Sequence, residues 1–391
     1  MDFRFMATVI FWVCAVPAFL SFVAYPFLVM ILSRLFKAVP PPETDEELPP
    51  VSVIITAFNE EDHIRKRLEN ILSLDYPNDR LQTIVHTDGS TDRTDSIIGE
   101  YEDRGIIHLT SPVNRGKTVA LNDAVMAASA PLLIFSDANS EFRPDAAIRL
   151  ARWFLNESIG CVCGRLIYRR PGFGEAQTGE NKYWNWDARL KTAEGSSGHL
   201  LGGNGAIFAI TRSMMIPLPG SQSNDMILPI VTRLRGKLVI YDPEAVAYEP
   251  PAGSVTAEFY RKKRIIARGL RGVFFSLHFA FTDLQARKTC LLKRAYAIFQ
   301  MVMKKLFRYL AFPGIVVMMI SGLFSHNSFT VYTDLVLCAA LAAASGWSLF
   351  AGAEKPRRKD FSYPLFMALA GCAGFLDFIT GKDVSRWKSR R

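Results

Sequence analysis

Residues 51–62, VSVIITAFNEED, run from a β-branched apolar stretch into a polar turn, and three later segments repeat the design. LQTIVHT (81–87), IIHLT (106–110) and PLLIFS (131–136) are also short apolar runs, separated by helix-like stretches such as EDHIRKRLENILSL and KTVALNDAVMAA. Short strands alternating with helices predict a parallel sheet covered on both faces, with ligands at the carboxyl ends of the strands. The alternation weakens after residue 145, and 150–260 reads as α+β with Gly-rich loops.

As a whole the chain is too apolar for an ordinary soluble protein: 49% of its 391 residues are hydrophobic, 21% are charged, and the mean hydropathy is +0.13. Disorder, collagen and coiled coil are excluded on the same numbers. Residues 6–32 carry no charge and exceed the ~20 apolar residues that cross a bilayer. They lack the small-residue cleavage pattern of a signal peptide, and Arg34 and Lys37 place their C-terminal end in the cytoplasm. The expected organisation is an anchor at 1–37, a Pro-rich acidic linker at 38–50, an α/β domain at 51–260, basic interfacial helices at 261–308 and a C-terminal membrane region at 309–391. In that last region 309–324 and 329–353 form an apolar hairpin, and 355–359 (KPRRK) returns to the cytoplasm. The run 361–379, broken by Pro364, Gly371, Gly374 and Asp377, either re-enters, lies in the interface or makes a fourth crossing. The six cysteines show neither a secreted framework nor zinc-ligand spacing, and no histidine has a ligand partner at metal spacing.

The net charge of +9 has one source. Residues 261–309 hold 13 Lys and Arg against the single acid Asp283. Interleaved with Phe274, Phe275, Phe279, Phe281 and Phe299, they read as a segment lying on anionic membrane lipids rather than on nucleic acid.

Two strand ends carry acids. HTDGSTD (86–92) puts Asp88 in a tight glycine turn, which suits a nucleotide contact and equally suits a turn before a helix cap. Ser136-Asp137-Ala138-Asn139 offers an acid and a second oxygen at a strand-to-loop corner, suited to a hard cation shared with a diphosphate.

VSVIITAFNEED, HTDGSTD, NRGKTVALN (114–122) and FSDAN (135–139) occur in order at strand ends, and the set resembles the family-two nucleotide-sugar glycosyltransferases of the GT-A fold. The resemblance covers about 50–260, and extends loosely to membrane-embedded polysaccharide synthases in the flanking helices. It implies an α/β GT-A domain between N- and C-terminal transmembrane helices. Carried over, Thr56 with Asn59 and Glu60 lines the base and ribose pocket, Asp88 bonds the base or ribose, and Arg115 and Lys117 reach the nucleotide. Asp137 holds a Mg or Mn ion, with Asn139 a poorer substitute for the acid usual there, and Thr87 stands where a first acid is usual.

Gly202-Gly203-Asn204-Gly205-Ala206 resembles the acceptor-side loop, and reads as readily as a plain glycine turn before IFAIT. Asp225, ahead of the apolar MILPIVTRL, matches the family's catalytic base; such an Asp is ordinarily a helix cap, but inverting transfer needs one acid past the glycine loop. Trp184, with Tyr183 and Trp186, either stacks on an acceptor sugar or packs in a core. Arg261 and Arg264 stand where processive synthases carry Q-x-x-R-W; they neutralise the leaving diphosphate, bind lipid headgroups, or both. Ile265, Ile266 and Ala267 supply no stacking ring there. The implied enzyme is an inverting, membrane-anchored hexosyltransferase moving sugar from a UDP-sugar to a lipid-linked or glycan acceptor for surface polysaccharide or glycolipid, with export by a separate transporter or an oligomer. A processive synthase, and a non-catalytic scaffold or transporter with a degenerate nucleotide domain, are the competing readings.

Overall fold

Four β-branched runs form the strands Val51–Ala57 (β1), Leu81–Asp88 (β2), Ile106–Ser111 (β3) and Leu132–Asp137 (β4), which pair in parallel in the order β3-β2-β1-β4. The computed structural model describes residues 3–36, 38–40, 47–169, 179–251, 255–325, 328, 330–332 and 363–385. The chain divides into two units, one holding this sheet (29–251, 274–298 and 383–391) and one helical (1–28, 252–273 and 299–382).

Every residue of β1 is buried, as a central strand covered on both faces requires. Its alternate side chains serve two cores: Val53 and Ile55 pack with Leu68 and Ile71 of the helix Ile64–Leu72 (α3), while Ile54 packs on the other face with Leu121 and Ala124 of Lys117–Ala127 (α5). The α3 stripe is Ile64, Arg67, Leu68 and Ile71, helical spacing with a guanidinium in one apolar place.

Beyond β4 the sheet becomes mixed. Phe208–Thr211 (β7) runs antiparallel between β4 and Ile159–Tyr168 (β6); Leu238–Glu249 (β8) is parallel to β6, and Glu141–Phe142 (β5) closes the edge antiparallel to β8. Asn224–Leu234 (α8) covers this half through Ile227, Leu228 and Val231. The registers put Thr56 level with His86 and Asp137, so the carboxyl ends of β1, β2 and β4 form one lip.

Among the described residues, two helical stretches, Phe3–Leu35 and Leu291–Leu323, are long and apolar enough to cross a membrane. The second begins inside the stretch expected to be interfacial. The hairpin arm 329–353, apart from 330–332, and the cluster 355–359 lie outside the described residues. Within the helical unit, Tyr363–Ile379 forms a helix whose Asp377 stands 3.0 Å from Lys263 Nζ on the helix Val255–Thr282.

Candidate functional site

The lip is built by two loops that fasten to each other. In the turn after β1, Asn59 adopts a left-handed φ of 54°, which asparagine tolerates better than most residues. Its amide oxygen accepts from Thr91 N at 2.8 Å, its own N–H donates to Ser90 Oγ at 3.2 Å, and Glu60 N–H donates to Thr94 Oγ1 at 2.9 Å. The AFNE turn is thereby shaped by the loop after β2.

Asp88 is fully buried, and its carboxylate accepts the N–H of Arg115 at 3.0 Å and of Gly116 at 2.6 Å. The loop wraps so closely that a Cβ on Gly89, already at φ +72°, would lie 2.6 Å from the backbone of Val113 and Asn114. Asp88 therefore fixes the start of α5, from which Lys117 projects. The Arg115 side chain turns to Asp123 and Ser111. Thr87, where an acid is usual, is fully buried and donates to Asp95 beside His108.

Lys117 reaches across the lip to ion-pair with Asp137 at the end of β4. A methyl group placed on Gly205 would stand 3.6 Å from Lys117 Nζ and 3.7 Å from Asp225 Oδ2. These figures bring four sequence-selected residues, Lys117, Asp137, Gly205 and Asp225, to one place. Asp225 lies in the first turn of α8, where its Oδ1 accepts from Ser223 Oγ at 2.6 Å, and its carbonyl accepts Gly203 N–H at 2.8 Å. Thr56 Oγ1, level with Asp137, is buried without a hydrogen-bond partner among the described residues.

Asn204 is held rather than exposed. Its Oδ1 accepts from Lys191 Nζ at 2.9 Å and its Nδ2 donates to the Gly164 carbonyl at 3.1 Å. Lys191 Nζ also pairs with Asp187 at 2.7 Å; against the downward pull of burial, that carboxylate keeps the ammonium above its ordinary range. Sequence reasoning passed over Asp187, Lys191 and Ser223. The four-residue spacing of Asp187 and Lys191 within the helix Gly179–Ser196 was the available signal.

Of the remaining expected residues, two belong to the helical unit and the side chain of one is not described. Arg261 and Arg264 belong to the helical unit, where Arg261 forks onto Glu258 at 2.7 and 2.9 Å. The side chain of Trp184 lies outside the described residues.

Asp137 and Asn139 can be tested as holders of a divalent ion. Among the described residues no group of three His, Cys, Asp or Glu forms a self-sufficient metal cage. The donor set is one carboxylate and one amide at a strand corner, and the carboxylate already attracts a cation, the Lys117 ammonium. Few hard oxygen ligands fit a Mg- or Mn-type ion that completes its coordination with water and substrate phosphates. The residues present fit.

The family model described as glycosyl transferase family 2 matches residues 52–216. The probable glycosyltransferase YdaM of Bacillus subtilis is 28% identical over 331 residues, covering 78% of this chain and 72% of that protein. A beta-monoglucosyldiacylglycerol synthase of Nostoc is 28% identical over 167 residues, 41% of this chain and 36% of that one. A poly-beta-1,6-N-acetyl-D-glucosamine synthase of Staphylococcus epidermidis is 29% identical over 206 residues, 52% of this chain and 48% of that one. The chain thus spans half or less of the latter two. Among solved structures, the mannosyltransferase PcManGT from Pyrobaculum calidifontis, in complex with GDP-Man and Mn2+, aligns over 98% of this chain and 100% of its own with a TM-score of 0.66 at 17% identity, a likeness of fold.

Proposed function

We propose, from the premise that this chain is a glycosyltransferase with a family 2 domain of GT-A fold, that it moves one sugar by inverting displacement from a nucleoside-diphosphate sugar to a hydroxyl of a lipid-linked or glycan acceptor. The observation that carries this reading is the convergence of Lys117, Asp137 and Asp225 on Gly205. Asp225 accepts the proton of the acceptor hydroxyl as its oxygen bonds to the anomeric carbon, while the bond from that carbon to the diphosphate oxygen breaks. Lys117 stands ready for the charge that accumulates on the departing diphosphate. Asp137, with Asn139, would hold a divalent ion, which when bound adds to that neutralisation. Asp88 acts through the backbone it grips, setting where Lys117 starts.

A UDP-sugar is the proposed donor. The proposed setting is a membrane with the sheet unit on the cytoplasmic side, supported by the two apolar helices and by Arg34 at the end of the first. With Ile265, Ile266 and Ala267 at the place of a stacking ring, one sugar or a few per encounter is the proposed product. The test is nucleotide release by the purified protein in neutral detergent from a panel of UDP- and GDP-sugars, with and without acceptor. Release from none of them, by a folded preparation supplied with Mn or Mg, would remove the reading.

A further inference from the structure

A cavity of about 360 Å³ opens beside the Asp137 corner, largely apart from the site just described. Its lining includes Lys66 and Arg67 of α3, Asn139 to Glu141 beyond β4, Arg169 after β6, and Tyr248 and Glu249 at the end of β8. Only Asn139 belongs to both places.

Arg67 is the anomaly on which the cavity turns. It occupies an apolar-stripe position of α3 at 2% exposure, although a buried guanidinium is costly unless its donors are satisfied. Two of its nitrogens are satisfied: one donates to Asn70 Oδ1 at 2.5 Å and one to Ser136 Oγ at 2.8 Å, while the ring of Phe142 lies 4.3 Å from the guanidinium carbon. Nε is buried and has no acceptor among the described residues. Burial pushes this guanidinium down to about 9, against the pull of Asp137, Glu141 and Glu249, so it stays cationic at neutral pH. The second orphan is Asn139 Nδ2, also buried and also without an acceptor among the described residues.

Both unmatched groups are N–H donors, and what satisfies them is an oxygen that only accepts. The carboxylates of the lining are engaged: Glu141 takes Lys66 Nζ at 2.6 Å and Glu249 takes Ser140 Oγ at 2.6 Å. Arg169, exposed and stacked 5.5 Å over Tyr248, adds a third cation at the rim. Three cations against two acids leave the cavity one positive charge in excess, with buried donors at its wall. That combination selects an anion with several acceptor oxygens. A metal ion would meet the Arg67 guanidinium, and a neutral sugar would leave the excess charge unanswered.

We propose that this cavity receives a phosphate group borne by the acceptor, so that the acceptor is a phosphate-linked molecule docked beside the Asp137 corner. This rests on the glycosyltransferase reading. It also accounts for an amide at 139: an amide keeps an oxygen for a cation and gives a donor to the anion, which a carboxylate cannot do.

The test is binding, without turnover, of dodecyl phosphate to the purified full-length protein in neutral detergent. Dodecyl glucoside, inorganic phosphate and UDP serve as comparison ligands. Wild type should bind dodecyl phosphate more tightly than either dodecyl glucoside or inorganic phosphate, and UDP should not displace it. Arg169→Ala and Lys66→Ala, both at exposed positions that leave the fold alone, should each weaken binding about tenfold, the scale of a charge-assisted hydrogen bond. Equal binding of dodecyl glucoside would overturn the proposal. So would equal binding of free phosphate, displacement by UDP (which would assign the anion to the donor), or unchanged affinity in both variants. Because no transfer is measured, a protein that binds dodecyl phosphate but transfers nothing would sink the enzymatic reading alone.

Discussion

Ser223 Oγ donates to Asp225 Oδ1 at 2.6 Å, two residues along the chain from the N-cap of α8 to its first turn. A serine at that place ordinarily caps the helix, but here it makes no capping bond and steadies the acid instead. Asp225→Asn should therefore lower kcat by ~10²–10⁴, the usual contribution of a general base, with donor affinity changed by no more than a few-fold. Ser223→Ala removes one hydrogen bond of ~1 kcal/mol and should cost only several-fold. Steady-state kinetics on both variants checks this; an active, folded Asp225→Asn would take the acid out of the mechanism.

The Lys117–Asp137 pair gives a second expectation. If the lysine marks where a cation is favoured, chelation should stop turnover, and Asn139→Asp should tighten Mn binding by adding a charge to a hard-oxygen site. Titrating the resting protein with Mn reads this without turnover. Full activity in excess chelator would contradict it.

Much of this was legible in the sequence, for an identifiable reason. The central strands of the parallel half are buried on both faces, so β1, β2 and β4 had to be rich in apolar and β-branched residues, and their ends had to carry polar residues that the site uses. Asp88 and Asp137 followed from that, whereas Lys117, at the start of a helix, came from the family resemblance. What Asp88 binds did not: its bonds run to the N–H groups of residues 115 and 116, and backbone partners leave no mark on residue type. Arg67 was illegible because in sequence it is one more basic residue in EDHIRKRLENILSL, and only packing shows it buried among Leu68 and Ile71. The start of the second apolar helix at Leu291 was hidden by Lys293, Arg294, Lys304, Lys305 and Arg308, which lower local hydropathy without stopping the helix.

Neighbouring glycines of the acceptor-side loop should behave differently. A Cβ on Gly203 would lie 2.6 Å from the sulfur of buried Cys163, whereas on Gly205 its nearest neighbours are at 3.6 and 3.7 Å, ordinary contact. Gly203→Ala is expected to lower the melting temperature, since overpacking a core costs ~1–3 kcal/mol. Gly205→Ala should leave stability within about 0.5 kcal/mol and instead raise the acceptor KM, because its methyl group projects between Lys117 and Asp225. Thermal unfolding in detergent, with acceptor titrations, separates the two; equal losses of stability would mean that the loop is a structural turn and nothing more.

His199 supplies a pH signature. Its ring stacks on Phe36 at 5.8 Å and meets Tyr296 edge-on at 5.3 Å, and its Nδ1 lies 3.1 Å from Ser197 Oγ. Burial, with the nearby charges of Arg233 on α8 and of Lys293, pushes it from its ordinary 6.5 down to about 4. Folding therefore favours the neutral ring. The stability it contributes is complete above pH 6.5, where the unfolded chain is neutral as well, and it drains away as the pH falls from 6.5 toward 4, because only the unfolded chain takes up the proton in that interval. Carboxylates add their own acid sensitivity at the lower end, so the comparison must be between wild type and His199→Phe, which keeps a flat ring for both stacking partners and cannot titrate. Melting curves from pH 7.5 to 4.5 should converge as the pH falls, with the variant losing less than wild type between 6.5 and 5. A constant offset across the whole range would show that the histidine takes up its proton alike in the folded and unfolded chain, and so is not buried as described.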